Sequence, residues 1–293
     1  MPELPEVETI RRGLERVLAG VRIRRLQMRR PDLRFPLPDH FADRVEGQRI
    51  ERLTRRAKYL VAELSGGEAL VMHLGMTGRF SVVAKARKHL LGAYVYDTDG
   101  DPIHDHVAFE LSNGVSLVYN DPRRFGFMVM MDAATRETHA LFRKMGVEPL
   151  GPELTAEYLA DRARGRKSNL KAFLMDQRNV AGLGNIYVSE ALHRAGLSPN
   201  RAARFLSDAR GRPTDRARAL VPAITSVLEQ AIAAGGSTLR DYRHADGERG
   251  AFQESFAVYD RDGAACIRPG CNGVIRRMVH SGRATYACNR CQR

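Results

Sequence analysis

Two residues behind the initiator methionine could do covalent chemistry. The chain begins MPELPEVET, and methionine is usually removed ahead of a small second residue, which would leave Pro2 with a free secondary amine. Such an amine can attack an electrophilic sugar carbon and become an iminium, which is cationic without a further proton. An α-amino group titrates far below a lysine, so part of it is neutral near pH 7. The pyrrolidine ring fixes its direction, and the Glu3 carboxyl beside it could act as acid or base. The ordinary alternative is a well-capped helix start, since most chain ends do no chemistry.

A second chemical signal closes the sequence. Four cysteines, Cys266, Cys271, Cys288 and Cys291, fall in the last 28 residues with the pattern C-x4-C-x16-C-x2-C. Two such knuckles fit a structural zinc site. Four thiolates complete a tetrahedral Zn2+ and leave no open position for catalysis, so one zinc per chain would be structural. A pair of disulfides would use the same thiols, but nothing else points to an oxidising compartment. The intervening GVIRRMVHSGRATYAC reads as an arginine-studded β-hairpin turning at Ser281-Gly282.

The elements that must position these groups follow from pattern. From Pro5, the apolar residues Val7, Ile10, Leu14 and Val17 recur at steps of three and four, the stripe of a leading helix that Gly20 would stop. Glu3, Glu6 and Glu8 face the positive end of its dipole. To about residue 131 the chain then reads as short strands without helices between them: KYLVAEL, EALVMHL, HVAFELSNGVSLVYND and FGFMVMM. That predicts a β-sandwich or barrel, with a type I′ turn at Asn113-Gly114. Ala84–His104 reads as a long loop, and EPLGPEL as an interdomain linker. Helical periods follow in EYLADRAR, LKAFLMDQ, IYVSEALHRAG and the run from Thr214 to Gly235-Gly236, where Pro222 predicts a kink or a helix start. The expectation is an α+β multidomain chain: a β-sandwich with its leading helix at 1–134, a linker at 135–154, a helical domain at 155–262 and a zinc-finger β-hairpin at 263–293.

With 293 residues, the chain can bury a proper core. A net charge of +13 and a pI near 10.0, despite 34 acidic residues, point to a polyanionic partner, with nucleic acid the first candidate. The sequence holds no run apolar enough to span a membrane, and its acidic, amphipathic start is unlike a signal peptide, so a cytoplasmic protein is expected.

PELPEVET followed by IRRGL closely resembles the start of the formamidopyrimidine-DNA glycosylase family of bacterial base-excision repair. RRAKYL, HLGMTG, NDPRRFG, LMDQ, GLGNIYVSEAL, the TLRDY segment and the zinc module match that family in order, over nearly the whole chain. The endonuclease VIII branch, specific for oxidised pyrimidines, looks like PEGPE at its start, whereas this chain has PELPE. The resemblance implies a bifunctional enzyme that excises 8-oxoguanine and formamidopyrimidines from double-stranded DNA and nicks the strand by β,δ-elimination. It implies no protein partner; a monomer that does not engage a membrane is expected.

By resemblance, Pro2 is the nucleophile, Glu3 assists opening of the deoxyribose ring, and Lys58 in RRAKYL contacts phosphate near the lesion and assists catalysis. Read without the family, Lys58 is an exposed strand lysine. Glu6 is matched to the pocket for the flipped base. Met76, Arg123 and Phe125 match the intercalating set, with Arg123 reading the orphaned cytosine. As bare residues, Met76 and Phe125 would be core, but glycines in turns beside them argue for exposure. His73, Lys171, Asn185, Tyr259 and Arg283 complete the DNA-contacting set, Asn185 lying in a helix–two-turn–helix element and Arg283 in the zinc hairpin. GLGNIY alone is a weak signal, equally a plain helix–turn–helix joint. The chain departs from the family pattern in its C-x4-C knuckle, usually C-x2-C, in Ala251 where an aromatic often covers the flipped purine, in Asp260 where glycine is usual, and in the long Ala84–His104 loop. A damaged-DNA-binding protein without catalysis is the reading from another class, and loss of Pro2 or Glu3 would have signalled it.

Overall fold

The computed structural model of the chain describes residues 2–84, 101–237 and 250–293. Most of the expected Ala84–His104 loop and the TLRDY segment lie outside the described residues. Two compact units emerge: one runs to Arg143 and takes in the described parts of Ala234–Ala251, and the other comprises Lys144–Ala233 and Phe252–Arg293. The chain thus leaves the first unit, builds the second and returns to the first before completing the second.

In the first unit, α1 (Leu4–Leu18) begins one residue before Pro5, because Glu3 serves as its N-cap. Glu6, three residues on, closes a reciprocal capping box, its Oε2 accepting the Glu3 N–H at 2.8 Å. Val7, Ile10, Leu14 and Leu18 enter the core and Val17 packs against it. The chain continues through β1 (Ile23–Met28), the short α2 (Phe41–Val45), β2 (Ile50–Arg56), β3 (Tyr59–Leu64), β4 (Glu68–His73), β5 (Arg79–Ala84), β6 (Asp105–Leu111), β7 (Val115–Asn120) and β8 (Phe127–Asp132). These form two four-stranded antiparallel sheets, ordered β1-β6-β7-β5 and β2-β3-β4-β8. Side chains of both sheets and of α1 share one core, from Leu14 and Phe41 to Leu60, Met72, Phe109 and Leu117. This is the sandwich with a leading helix.

One turn differs from expectation. Leu111 and Val115 bracket three residues rather than two, and Gly114 (φ 82°) is left-handed while Asn113 is not. A type I′ turn needs positive φ at both central positions. Here the Gly114 N–H donates to the Leu111 carbonyl at 3.2 Å, and the Asn113 side chain accepts the Val115 N–H, so a type I turn ending in a left-handed glycine closes the hairpin.

The second unit holds α3 (Ala156–Ala163), α4 (Leu170–Met175), α5 (Asn185–Ala195) and α6 (Asp215–Ala233). Pro222 lies inside α6, which starts seven residues earlier, so the proline is not a helix start. It still withholds one helical hydrogen bond. The hairpin β9 (Ile275–His280) and β10 (Arg283–Cys288) follows, turning at Ser281 (φ 50°) and Gly282 (φ 74°). Positive φ at both positions is the type I′ geometry, here at the Ser-Gly pair named from sequence. No helix among the described residues is long and apolar enough to cross a membrane.

Candidate active site and nucleic-acid interface

The N-terminal residues are packed into the first unit. Pro2 is buried, and Glu3 and Glu6 are only 4% and 2% exposed. Glu6 works in two directions. One carboxylate oxygen holds the Glu3 N–H, and the other, Oε1, accepts the Ser237 backbone N–H at 2.8 Å and the Ser237 hydroxyl at 3.1 Å. Gly236, at φ 81°, lies so close that a side chain there would press on the Glu6 carboxylate. Ser237 pairs with Ala251 across an antiparallel bridge, and the Ala251 N–H donates to the Ala234 carbonyl. A single carboxylate therefore ties the start of α1 to the Gly-Gly-Ser stretch near the end of the first unit.

Lys58, 7% exposed, sits at the turn between β2 and β3, beside Ala57 in the left-handed conformation (φ 52°). Arg55, not singled out from sequence, braces that turn. Arg55 donates to the Ala57 carbonyl at 2.8 Å and to Glu8 Oε2 at 3.3 Å, so α1 and the Lys58 turn are coupled through Glu8. Burial would raise the Glu8 pKa, but hydrogen bonds from Arg11 and Arg12, with the charge of Arg55, hold it below the usual carboxylate value.

Two connections of the sandwich carry the expected wedge residues. Met76 lies in the β4–β5 connection and is 39% exposed, while Phe125, in the β7–β8 connection, is 44% exposed. Arg123 is exposed beside it, its guanidinium 4.6 Å from the Phe125 ring centre. The two connections touch, since a side chain on Gly75 (φ 62°) would collide with the backbone of Phe125 and Gly126. His73 stacks on Phe127 at 5.1 Å, and its Nδ1 accepts the Gly75 N–H at 3.0 Å. Burial, then the positive charges of Lys58 and Arg34, push its pKa down to about 4. His73 is therefore a neutral acceptor that shapes the Met76 loop.

The remaining candidates lie in the second unit. Asn185 opens α5 behind Gly182 (φ 80°) and Gly184, a turn braced by Gln177, which accepts the Gly182 N–H and donates to the Leu183 carbonyl. Asn185 Nδ2 donates to the Ala284 carbonyl at 3.0 Å and to the Tyr259 hydroxyl at 3.3 Å, and its Oδ1 is buried without a hydrogen-bond partner among the described residues. Lys171, expected to face DNA, is 1% exposed, and its ammonium donates to Thr285 Oγ1 and to the Ala284 carbonyl. Arg283, next to Ala284 at the start of β10, is exposed. Tyr259 is held from behind by Glu190, a buried residue of α5 that accepts the N–H groups of Ala257, Val258 and Tyr259.

The four cysteine sulfurs lie within 4.8 Å of one another, and none is in a disulfide. Sulfurs at zinc-ligand distance on a tetrahedron stand about 3.8 Å apart, and the Cys266–Cys291 and Cys271–Cys288 pairs are separated by 3.7 and 3.6 Å. The wider C-x4-C knuckle still brings Cys266 and Cys271 within 4.8 Å of each other and of the other two sulfurs. His193 Nε2 lies 3.4 Å from Cys266 Sγ, and Arg268, inside the knuckle, donates to the carbonyls of His193 and Arg194 at the end of α5. Outer-shell groups of this kind hold metal ligands in place.

Comparison with known proteins agrees with this arrangement. A model of the formamidopyrimidine-DNA glycosylase N-terminal domain matches residues 1–128, and a model of the H2TH domain of the same glycosylase matches residues 145–243. A formamidopyrimidine-DNA glycosylase from Methylobacterium nodulans is 58% identical over all of this chain and 99% of its own length. One from a Bradyrhizobium species is 53% identical over the whole of both chains. Among solved structures, the MutM (Fpg) protein of Thermus thermophilus has a TM-score of 0.81 at 38% identity, covering 99% of this chain and 98% of its own. A Lactococcus lactis Fpg mutant bound to Fapy-dG containing DNA has a TM-score of 0.84 at 29% identity over the whole of both. With the two sheets, the helical unit and the four-cysteine hairpin each matched along the full length, the chain belongs to the formamidopyrimidine-DNA glycosylase family.

Proposed function

We propose that this protein excises oxidised purines, 8-oxoguanine and formamidopyrimidines, from double-stranded DNA and then cleaves the strand at the resulting site. Its nucleophile is the Pro2 amine freed by removal of Met1. The observation that carries the reading is the buried start of α1, where Pro2 is buried and the adjoining Glu3 is fixed by the Glu6 capping box. Preorganisation of this kind is what a positioned nucleophile requires.

The Pro2 nitrogen forms a bond to C1′ as the bond from C1′ to the damaged base breaks, and the proton lost from the amine leaves with the base. Glu3 gives a proton to the ring oxygen as the sugar opens, and the nitrogen lone pair completes a cationic iminium. That cation acidifies the C2′ proton; its loss expels the 3′ phosphate, and a second elimination expels the 5′ phosphate. Lys58 and Arg283 contact phosphates flanking the lesion. Asn185 and Tyr259 also contact DNA, and Lys171 supports that contact through Ala284. Glu6 borders the pocket for the extruded base and His73 shapes the loop above it. Met76 and Phe125 fill the gap in the stack while Arg123 reads the orphaned base. Zinc, one ion per chain on Cys266, Cys271, Cys288 and Cys291, supplies structure and no chemistry. The enzyme acts as a monomer in the bacterial cytoplasm.

The test is product analysis on duplexes carrying either 8-oxoguanine opposite cytosine or an oxidised pyrimidine. The expected result is release of 8-oxoguanine and a one-nucleotide gap with phosphate at both ends. Preferential cleavage of the pyrimidine lesion would favour an endonuclease VIII-like activity, and tight binding without cleavage of either would favour a non-catalytic protein.

A further inference from the structure

The loop bearing Met76 and the loop bearing Arg123 and Phe125 are separate connections of the sandwich, yet one buried carboxylate holds both. Asp121 is 0% exposed. Its Oδ1 accepts the Thr77 hydroxyl at 2.6 Å, and its Oδ2 accepts the Gly126 N–H at 2.8 Å and the Tyr119 hydroxyl at 3.2 Å. Its backbone carbonyl accepts the Arg124 N–H and lies 2.9 Å from His106 Nε2.

Thr77 extends this contact to the base-reading arginine. A hydroxyl can donate and accept at once, and the Thr77 oxygen, while donating to Asp121, accepts the Arg123 backbone N–H at 3.3 Å. The sequence of bonds is Arg123 N–H to Thr77 Oγ1 to Asp121 Oδ1. It closes a ring of interactions around residues 121–126 and anchors that ring to the residue following Met76.

A fully buried carboxylate is costly unless its lone pairs are taken up, and an apolar residue would serve packing alone at lower cost. Here two of the three donors to the carboxylate, Thr77 and Gly126, sit directly beside the exposed Met76 and Phe125. Tyr119 supplies the floor: side chains on Gly78 and on Gly126 would both collide with its hydroxyl. The tip is therefore held by bonds within the chain itself, with its apolar and cationic side chains outward and its polar bonds inward.

We propose that Asp121, acting through Thr77, is a positioning residue for base recognition: it joins Met76, Arg123 and Phe125 into one rigid tip, so discrimination of the base opposite the lesion depends on the Thr77–Asp121 bond. The inference rests on the proposed wedge role of those three residues. A reader held in one orientation presents its paired donors in a fixed place and suits one acceptor edge, whereas a mobile one adapts to several.

Thr77→Val tests this directly, because it keeps the side-chain shape and removes both bonds of the hydroxyl. Single-turnover excision of 8-oxoguanine opposite cytosine and opposite adenine, cleavage of a preformed abasic site, and Tm are measured for wild type, Thr77→Val, Thr77→Ser, Asp121→Asn and Arg123→Ala. The expected result is a cytosine-over-adenine ratio lowered about tenfold in Thr77→Val, restored in Thr77→Ser, with abasic-site cleavage within about twofold of wild type. Asp121→Asn should lower the same ratio and also the Tm. If Arg123→Ala lowers the ratio but a folded Thr77→Val leaves it unchanged, the positioning role is wrong. An equal loss of all activities in Thr77→Val would make the bond merely structural and overturn the proposal too. If Arg123→Ala itself leaves the ratio unchanged, the wedge reading fails and takes this proposal with it.

Discussion

Lys171 Nζ lies 2.6 Å from Thr285 Oγ1, joining α4 to the four-cysteine hairpin inside the second unit. The same ammonium and the Asn185 amide both donate to the carbonyl of Ala284, the residue after Arg283. Two side chains from the helical part thus fix the backbone beside an exposed arginine. Lys171→Met should lower stability by about 2 kcal/mol, the usual cost of a lost hydrogen bond to a charged group, and should weaken DNA binding. Its effect on salt dependence should differ from that of Arg283→Ala. Loss of a direct phosphate contact lowers the salt slope by about one unit, and Lys171→Met should lower it by less. DNA affinity measured over a salt series, alongside thermal unfolding, checks both; an undiminished Tm with a full one-unit loss of slope would make Lys171 a direct phosphate ligand.

Much of this architecture is legible in the residues themselves. The α1 stripe, the strands KYLVAEL, EALVMHL and FGFMVMM, and the hairpin turn at Ser281-Gly282 follow from periodicity and turn chemistry. IRRLQM and IERLTRR do not, although they form β1 and β2. Each carries a register irregularity near its start, between Ile23 and Arg25 and between Ile50 and Arg52. An extra residue in a strand breaks the two-residue alternation, and the buried positions, Ile23 with Leu26 and Ile50 with Leu53, are then three apart and read as helical. The residues expected to do chemistry were visible because motif and residue type mark them. Asp121, Arg55 and Glu6's bond to Ser237 were not, since a bracing group is defined by what it touches across the chain.

The cysteine geometry predicts one zinc ion per chain. Removing one ligand leaves three sulfurs that cannot complete the tetrahedron, and β9–β10 loses its staple. Cys288→Ser should give a protein with under one equivalent of metal, a lower Tm and weakened DNA affinity, because Arg283 sits on that hairpin. Metal analysis with a binding titration checks this. A metal-free wild-type protein, or Cys288→Ser with normal affinity, would contradict it.

His73 should give stability a pH dependence of defined sign. Its pKa is near 4 in the fold against 6.5 unfolded, through burial first and then the charges of Lys58 and Arg34, opposed by Asp121. Between those values the unfolded chain binds more protons. Stability is therefore fully present above pH 6.5 and lost as pH falls toward 4, by up to about 1.4 kcal/mol per pH unit for this one group. His73→Gln should show a shallower decline than wild type in denaturant unfolding across that window, and equal slopes would contradict the assignment.

The central claim is that the second residue of the chain is the nucleophile. Incubating the protein with an 8-oxoguanine:cytosine duplex under borohydride reduces an iminium to a stable amine, and peptide mapping then locates the bond. The predicted result is a covalent adduct on Pro2, lost together with strand cleavage in protein that retains Met1 or carries an N-terminal tag. An adduct on Lys58 or another lysine, or trapping undiminished by a blocked N-terminus, would contradict it.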